Sequence, residues 1–131
     1  MKLQTYKNTK TQGDAGLGIA IAYFAVNGYP CMIPLTDNQP YDLVVDYKGK
    51  LIKVQIKTVT YKGVNGIYKC SLTTKGGNRS GNKNPKKLEL IDVDYIFIVT
   101  GEGDKYFIPY NKVMSQINLG KLYEKYKVDL Y

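Results

Sequence analysis

Pro40-Tyr41-Asp42-Leu43-Val44-Val45-Asp46-Tyr47-Lys48-Gly49-Lys50-Leu51-Ile52-Lys53-Val54-Gln55-Ile56-Lys57-Thr58 is the stretch on which the reading of this chain turns. Two runs rich in β-branched residues, 41–46 and 51–60, flank a short polar segment and read as a β-hairpin. With Lys48-Gly49 as a two-residue turn, Tyr41 faces Ile56, Leu43 faces Val54 and Val45 faces Ile52. That gives one wholly apolar face, the expected core side. On the other face Asp42 lies opposite Gln55 and Val44 opposite Lys53, with Lys57 one step beyond Gln55. A slip of one residue would set apolar positions against polar ones on both faces, so the pattern selects this register. Lys-Gly is a weaker turn signal than Asn-Gly. Directly opposed Cβ atoms lie roughly 4.5–5.5 Å apart and diagonal ones roughly 7–8 Å. Asp42, Gln55 and Lys57 are therefore expected to converge on one patch.

That patch suits a hard cation. Mg²⁺ takes oxygen ligands near about 2.0–2.1 Å, usually one or two carboxylates with waters and substrate phosphate. Asp42 can supply a carboxylate, Gln55 an amide oxygen, and Ile56 its backbone carbonyl if that group is free. Lys57 could orient or deprotonate a water and stabilise charge on a phosphate. The plain alternative is a solvated strand face carrying ordinary polar residues. Asp46 shares the face with Asp42 but lies roughly 13 Å along the strand, too far to share the ion. Asp37, in the loop Thr36–Pro40, could reach the patch or serve the turn.

Upstream, residues 13–27 read as a helix with Asp14 as N-cap and Asn27-Gly28 as the stop. Leu17, Ala20, Ile21, Phe24 and Ala25 form its core-facing stripe. Residues 1–12 form a basic polar arm with Lys2, Lys7 and Lys10, and residues 13–131 form a single domain. Tyr29–Leu35 is a short strand limited by prolines. Downstream, Ile67–Thr74 reads as a strand and Lys75 to Lys87 as a long basic loop without acids. Tyr95–Thr100 and Lys105–Pro109 form a second hairpin around Gly101–Asp104. Asn111 is expected to cap a short helix to Ile117, and the stripe Leu119, Leu122, Tyr123, Tyr126, Leu130 predicts a helical end. The fold class is α+β: a long helix, a mostly antiparallel sheet, and short C-terminal helices.

With 131 residues the chain has the size of one domain with a real core. Apolar residues at 44% and charged ones at 23% indicate a folded protein. No apolar run is long enough to span a bilayer and the start lacks a signal-type stretch, so a cytoplasmic location is the expectation. The absence of histidine excludes Ser-His-Asp and Cys-His catalysis and His-ligated zinc. Two cysteines, Cys31 and Cys70, cannot build a four-Cys zinc site and read as small core residues. Basic residues outnumber acidic ones 19 to 11, a net charge of +8, which points to an anionic partner such as nucleic acid. Lysine-rich codon usage is the bland source of the same charge. Of the 19 basic residues only Arg79 is arginine.

Pro40-Tyr41-Asp42 followed by Gln55-Ile56-Lys57 resembles the PD-(D/E)XK nuclease signature. The form with Gln in the acid position resembles that of small endonucleases encoded in group I introns. The resemblance extends to Thr9-Lys10, to Gly13-Asp14-Ala15-Gly16 opening an Ala-rich helix, to Asn27-Gly28-Tyr29, and to Ile33-Pro34 and Asp37-Asn38. It also takes in Asp94-Tyr95-Ile96-Phe97 and Tyr106-Phe107-Ile108-Pro109, so most of residues 9–110 is covered. It implies a restriction-endonuclease-like core, a helix on a mixed sheet with the acidic centre at strand ends. It further implies Mg²⁺-dependent hydrolysis of phosphodiester bonds in double-stranded DNA, at a specific site. Asp42, Gln55 and Lys57 become the catalytic set, with Asp42, Gln55 and the Ile56 carbonyl on the metal and Asp14 or Asp37 as possible accessories. Lys10, Lys75, Lys83, Lys86 and Lys87 would hold the DNA backbone, and Arg79 could read guanine. Cutting both strands with one site per chain favours a homo-oligomer, dimer or tetramer. One departure stands out: members often carry a Glu on the first helix where this chain has Leu17. The competing readings are a resolvase of branched DNA (Holliday junctions), a catalytically decayed DNA-binding protein, and a protein-interaction module.

Overall fold

The computed structural model describes residue 3, residues 8–75 and residues 85–130. The chain opens with α1 (Thr9–Val26), followed by β1 (Cys31–Met32), β2 (Leu43–Tyr47) and β3 (Lys50–Val59). Next come β4 (Lys69–Ser71), β5 (Thr74–Lys75), β6 (Pro85–Lys86), β7 (Tyr95–Thr100) and β8 (Lys105–Pro109). The chain then runs through β9 (Gln116–Asn118), a 3-10 helix (Lys121–Tyr126) and β10 (Lys127–Val128). Six strands form one mixed sheet in the order β1-β2-β3-β7-β8-β10. All its pairs are antiparallel except β3 with β7, which is parallel.

The hairpin has the expected register: Leu43 pairs with Val54, Val45 with Ile52, and Tyr47 with Lys50. Lys48 (φ 53°) and Gly49 (φ 83°) both take left-handed conformations. This is the primed turn that matches strand twist, so Lys-Gly performs the task usually given to Asn-Gly. Leu43, Val45, Ile52 and Val54 are buried against Ala20 and Phe24 of α1, together with Phe97, Val99 and Phe107. Ile96 and Ile98 point to the opposite face and join Val59, Cys70, Leu72, Tyr106, Ile108 and Ile117. β7 is thus apolar on both faces, as expected of a central strand with layers above and below it.

Several expectations need correction. The helix starts at Thr9, with the Asn8 side chain accepting from the Lys10 N–H at 2.9 Å. Asp14 therefore lies inside the helix and is not its cap, because a capping residue was available one and a half turns earlier. Leu3, assigned to the polar arm, is fully buried in the helix-side core, and its N–H donates to the Gly101 carbonyl at 2.8 Å. Ala25 is exposed, while Gly16, Ala20 and Phe24 form the buried stripe. Ile67–Thr74 is interrupted, giving β4 on β9 and β5 on β6 as separate two-stranded sheets. Asn111–Ile117 is not a helix: Ile117 lies in β9 and pairs with Cys70, because burial across the sheet outweighs local helical spacing.

Candidate active site

Tyr41 and Asp42 precede β2, and the ladder departs from its regular register there. The Asp42 N–H donates to the Val54 carbonyl at 2.9 Å, although Val54 already pairs with Leu43. Two residues opposing one is the signature of a β-bulge, which re-aims the side chains that follow it. Tyr41 consequently packs against the core on the far side of the sheet from α1, where Lys53 lies 5.9 Å from its ring. It does not face the half-buried Ile56 in the helix-side core, as uniform alternation predicts. The same departure carries the Asp42 carboxylate to the Ile56 N–H, which donates to Oδ2 at 2.7 Å. A side chain thus takes the place of a ladder carbonyl where the backbone of β2 has turned away. A strand residue directs its N–H and C=O to the same edge, so the Ile56 carbonyl points to the Asp42 side as well.

Gln55 is 6% exposed. Its Nε2 donates to the Pro40 carbonyl at 2.9 Å, and its Oε1 is buried without a hydrogen-bond partner. Leaving a buried acceptor unmet typically costs about 1–3 kcal/mol, so such an atom calls for an explanation. An oxygen-seeking cation would fit it, because Asp42, Gln55 Oε1 and the Ile56 carbonyl could together supply oxygen ligands of the kind Mg²⁺ uses. Among the described residues no group of three His, Cys, Asp or Glu side chains comes together at metal-binding spacing. Asp14 is exposed on α1 and Asp37 is exposed in the loop between β1 and β2. Leu17 packs against the helix-side core and brings no charge.

Asp42 is exposed as a residue, yet partial desolvation of its carboxylate raises its pKa above the usual value, against the opposing pull of the Ile56 N–H and the Lys57 ammonium. Lys57 thus lies close enough to act on Asp42, and among the described residues it forms no ion pair with an acid. Lys57 lines an open cleft of about 430 Å³ walled by the first turns of α1, the end of β3, and β4. Gln12, Lys69 and Ser71 also line this cleft, and sequence reasoning missed them. They come from α1 and β4, two elements brought together by their packing against β3. At the contact between α1 and β3, Thr58 Oγ1 donates to the Gln12 carbonyl at 3.3 Å.

The expected DNA-contacting residues are spread more widely. Lys10 is exposed on the first turn of α1, and Lys86 and Lys87 are exposed at and beyond β6. Lys75 lies in β5, across the antiparallel pair from Pro85. Arg79 and Lys83 fall outside the described residues. No helix among the described residues is long and apolar enough to cross a membrane.

Comparison with known proteins adds a family to this geometry. A family model for PD-(D/E)XK endonucleases matches residues 7–126. Among solved structures, the chain is similar to the bacterial homing endonuclease I-Ssp6803I, with a TM-score of 0.70 and 28% identity. That match covers 87% of this chain and 79% of the other. No curated protein gave a significant match. A family model spanning nearly the whole chain, over a fold similar to that of a solved homing endonuclease, leads to one conclusion: the chain belongs to the PD-(D/E)XK endonuclease family.

Proposed function

We propose that this endonuclease hydrolyses phosphodiester bonds in double-stranded DNA, with Mg²⁺ as cofactor and a preferred target sequence, as a homing-type enzyme. The observation that carries the reading is the buried, unpartnered Gln55 Oε1 beside the residue whose N–H anchors Asp42. Asp42, Gln55 and the Ile56 carbonyl would hold the metal. The bound ion would supply Lewis acidity and a water of lowered pKa. Ile56 fixes the Asp42 carboxylate through its N–H, and Pro40 fixes the Gln55 amide. Lys57, at the cleft wall, donates to the attacking water or to a phosphate oxygen and offsets the developing negative charge. Lys10, Lys75, Lys86 and Lys87, with Arg79 and Lys83, hold the duplex, and Lys69 adds a phosphate contact inside the cleft. Asp14 and Asp37 serve at most as accessory carboxylates. The likeness to a bacterial homing endonuclease supports the site-specific reading. Cutting both strands with one site per chain favours a homo-oligomer.

Leu17 favours one second reading, a DNA-binding protein whose catalytic centre has decayed, because that helix position supplies no carboxylate. A cleavage assay on genomic DNA, with and without Mg²⁺ and with every new end sequenced, separates the two. Metal-dependent ends at a recurring sequence are expected. Lys57→Ala should abolish them and leave binding intact; binding lost with the fold retained would overturn the role given to Lys57. DNA binding without any cleavage would favour the decayed centre, and preferential cutting of four-way junctions would replace site specificity with shape selectivity.

A further inference from the structure

The two ends of the Gln55 amide meet different fates. Nε2 donates to the Pro40 carbonyl at 2.9 Å, and Oε1 is left buried and unpartnered. The amide NH₂ satisfies that carbonyl. An ionised glutamate has acceptors alone and would set oxygen against oxygen at the same contact. The bulge at Asp42 brings Pro40 over Gln55, so one tripeptide supplies a carboxylate and also orients the neighbouring amide.

We infer that the Pro40 carbonyl is a positioning group that fixes the residue-55 amide with its oxygen free for the metal, and that it makes glutamine rather than glutamate the side chain this site accepts. The inference rests on the metal-site reading above. It follows that adding a second carboxylate at position 55 does not improve the centre, even though carboxylates are stronger ligands for hard cations.

The test has a metal-free arm and a metal arm. In metal-free protein, the Gln55 side-chain NH₂ protons should exchange with solvent more slowly than those of the exposed Gln116, as read by NMR. Replacing Tyr41 by its α-hydroxy acid turns the Pro40 amide carbonyl into a weaker ester acceptor and should remove that protection. Equal exchange before and after the replacement overturns the inference. In the metal arm, Gln55→Glu should bind Mn²⁺ no more tightly than the wild type and cut about 10–100-fold more slowly, the usual cost of disturbing the groups that orient a metal ligand. Tighter Mn²⁺ binding together with undiminished cutting overturns it. Asp42→Asn serves as the separate check. If that variant keeps Mn²⁺ binding and cutting, the metal-site reading fails, while the Gln55 exchange data still decide the positioning role.

Discussion

Asp42 holds its carboxylate on the Ile56 N–H, yet partial desolvation of that carboxylate keeps its pKa above the ordinary 3.8. Between 3.8 and the raised value the folded protein binds more proton than the unfolded chain, so stability falls as pH rises through that window and stays lower above it. In metal-free buffer Asp42→Asn should therefore melt higher than wild type at pH 7, since an amide oxygen can still accept from Ile56. The gain should vanish below the unfolded pKa, which calorimetry at several pH values would show. The same substitution should slow cutting by roughly 10²–10⁴-fold, the several kcal/mol that metal-centred charge stabilisation supplies. A variant that is both less stable and fully active would contradict the account. Cys70 gives a second expectation at this scale. It is buried, and burial pushes its thiol up to about 11, so a thiol reagent should label only the half-exposed Cys31 until the protein unfolds.

The seam between α1 and β3 positions the cleft, and its tightest point is Gly16. A Cβ there would stand 2.2 Å from Thr58 Oγ1, well inside contact distance. Gly16→Ala should destabilise the fold by about 1–3 kcal/mol, as overpacking does, measured by denaturant unfolding. Thr58→Ala removes the offending oxygen, so the double variant should recover part of the loss; strict additivity would show that the contact is not the cause. This gives a packing reason for the Gly-Asp-Ala-Gly helix start that the sequence comparison could only match by likeness. The hairpin register was legible because four apolar residues had to share one face. The bulge at Asp42 was not, because uniform alternation is the simplest reading of a strand until a tertiary contact breaks it.

For the whole molecule the net charge of +8 matters more than any single lysine. Counterion release makes such binding steeply salt-dependent, and six to ten phosphate contacts would cost roughly 10³–10⁵ in affinity between about 50 and 200 mM salt. A salt titration of duplex binding by fluorescence anisotropy should show that slope. Removing Lys86 and Lys87 together should reduce the slope by about 2 without changing sequence preference. A flat salt response would point instead to a charge that reflects codon usage.

The sequence by itself determined the hairpin, the strand Tyr95–Thr100 and the long first helix, because hydrophobic spacing fixes which face each element must bury. It also set Gln55 and Lys57 on one face of β3, since strand register is local arithmetic, whereas the placement of Asp42 depended on the bulge. The tertiary structure decided what no local pattern contains. It made the β3–β7 pair parallel and turned residues 116–118 into a strand. It buried Leu3 beneath Gly101 and walled a cleft with Gln12, Lys57 and Lys69 from three elements. It also set the Pro40 carbonyl against the Gln55 amide. The physical reason is that these features depend on contacts between residues far apart in the chain, where the burial and hydrogen bonding of a whole layer outweigh the preference of any short segment.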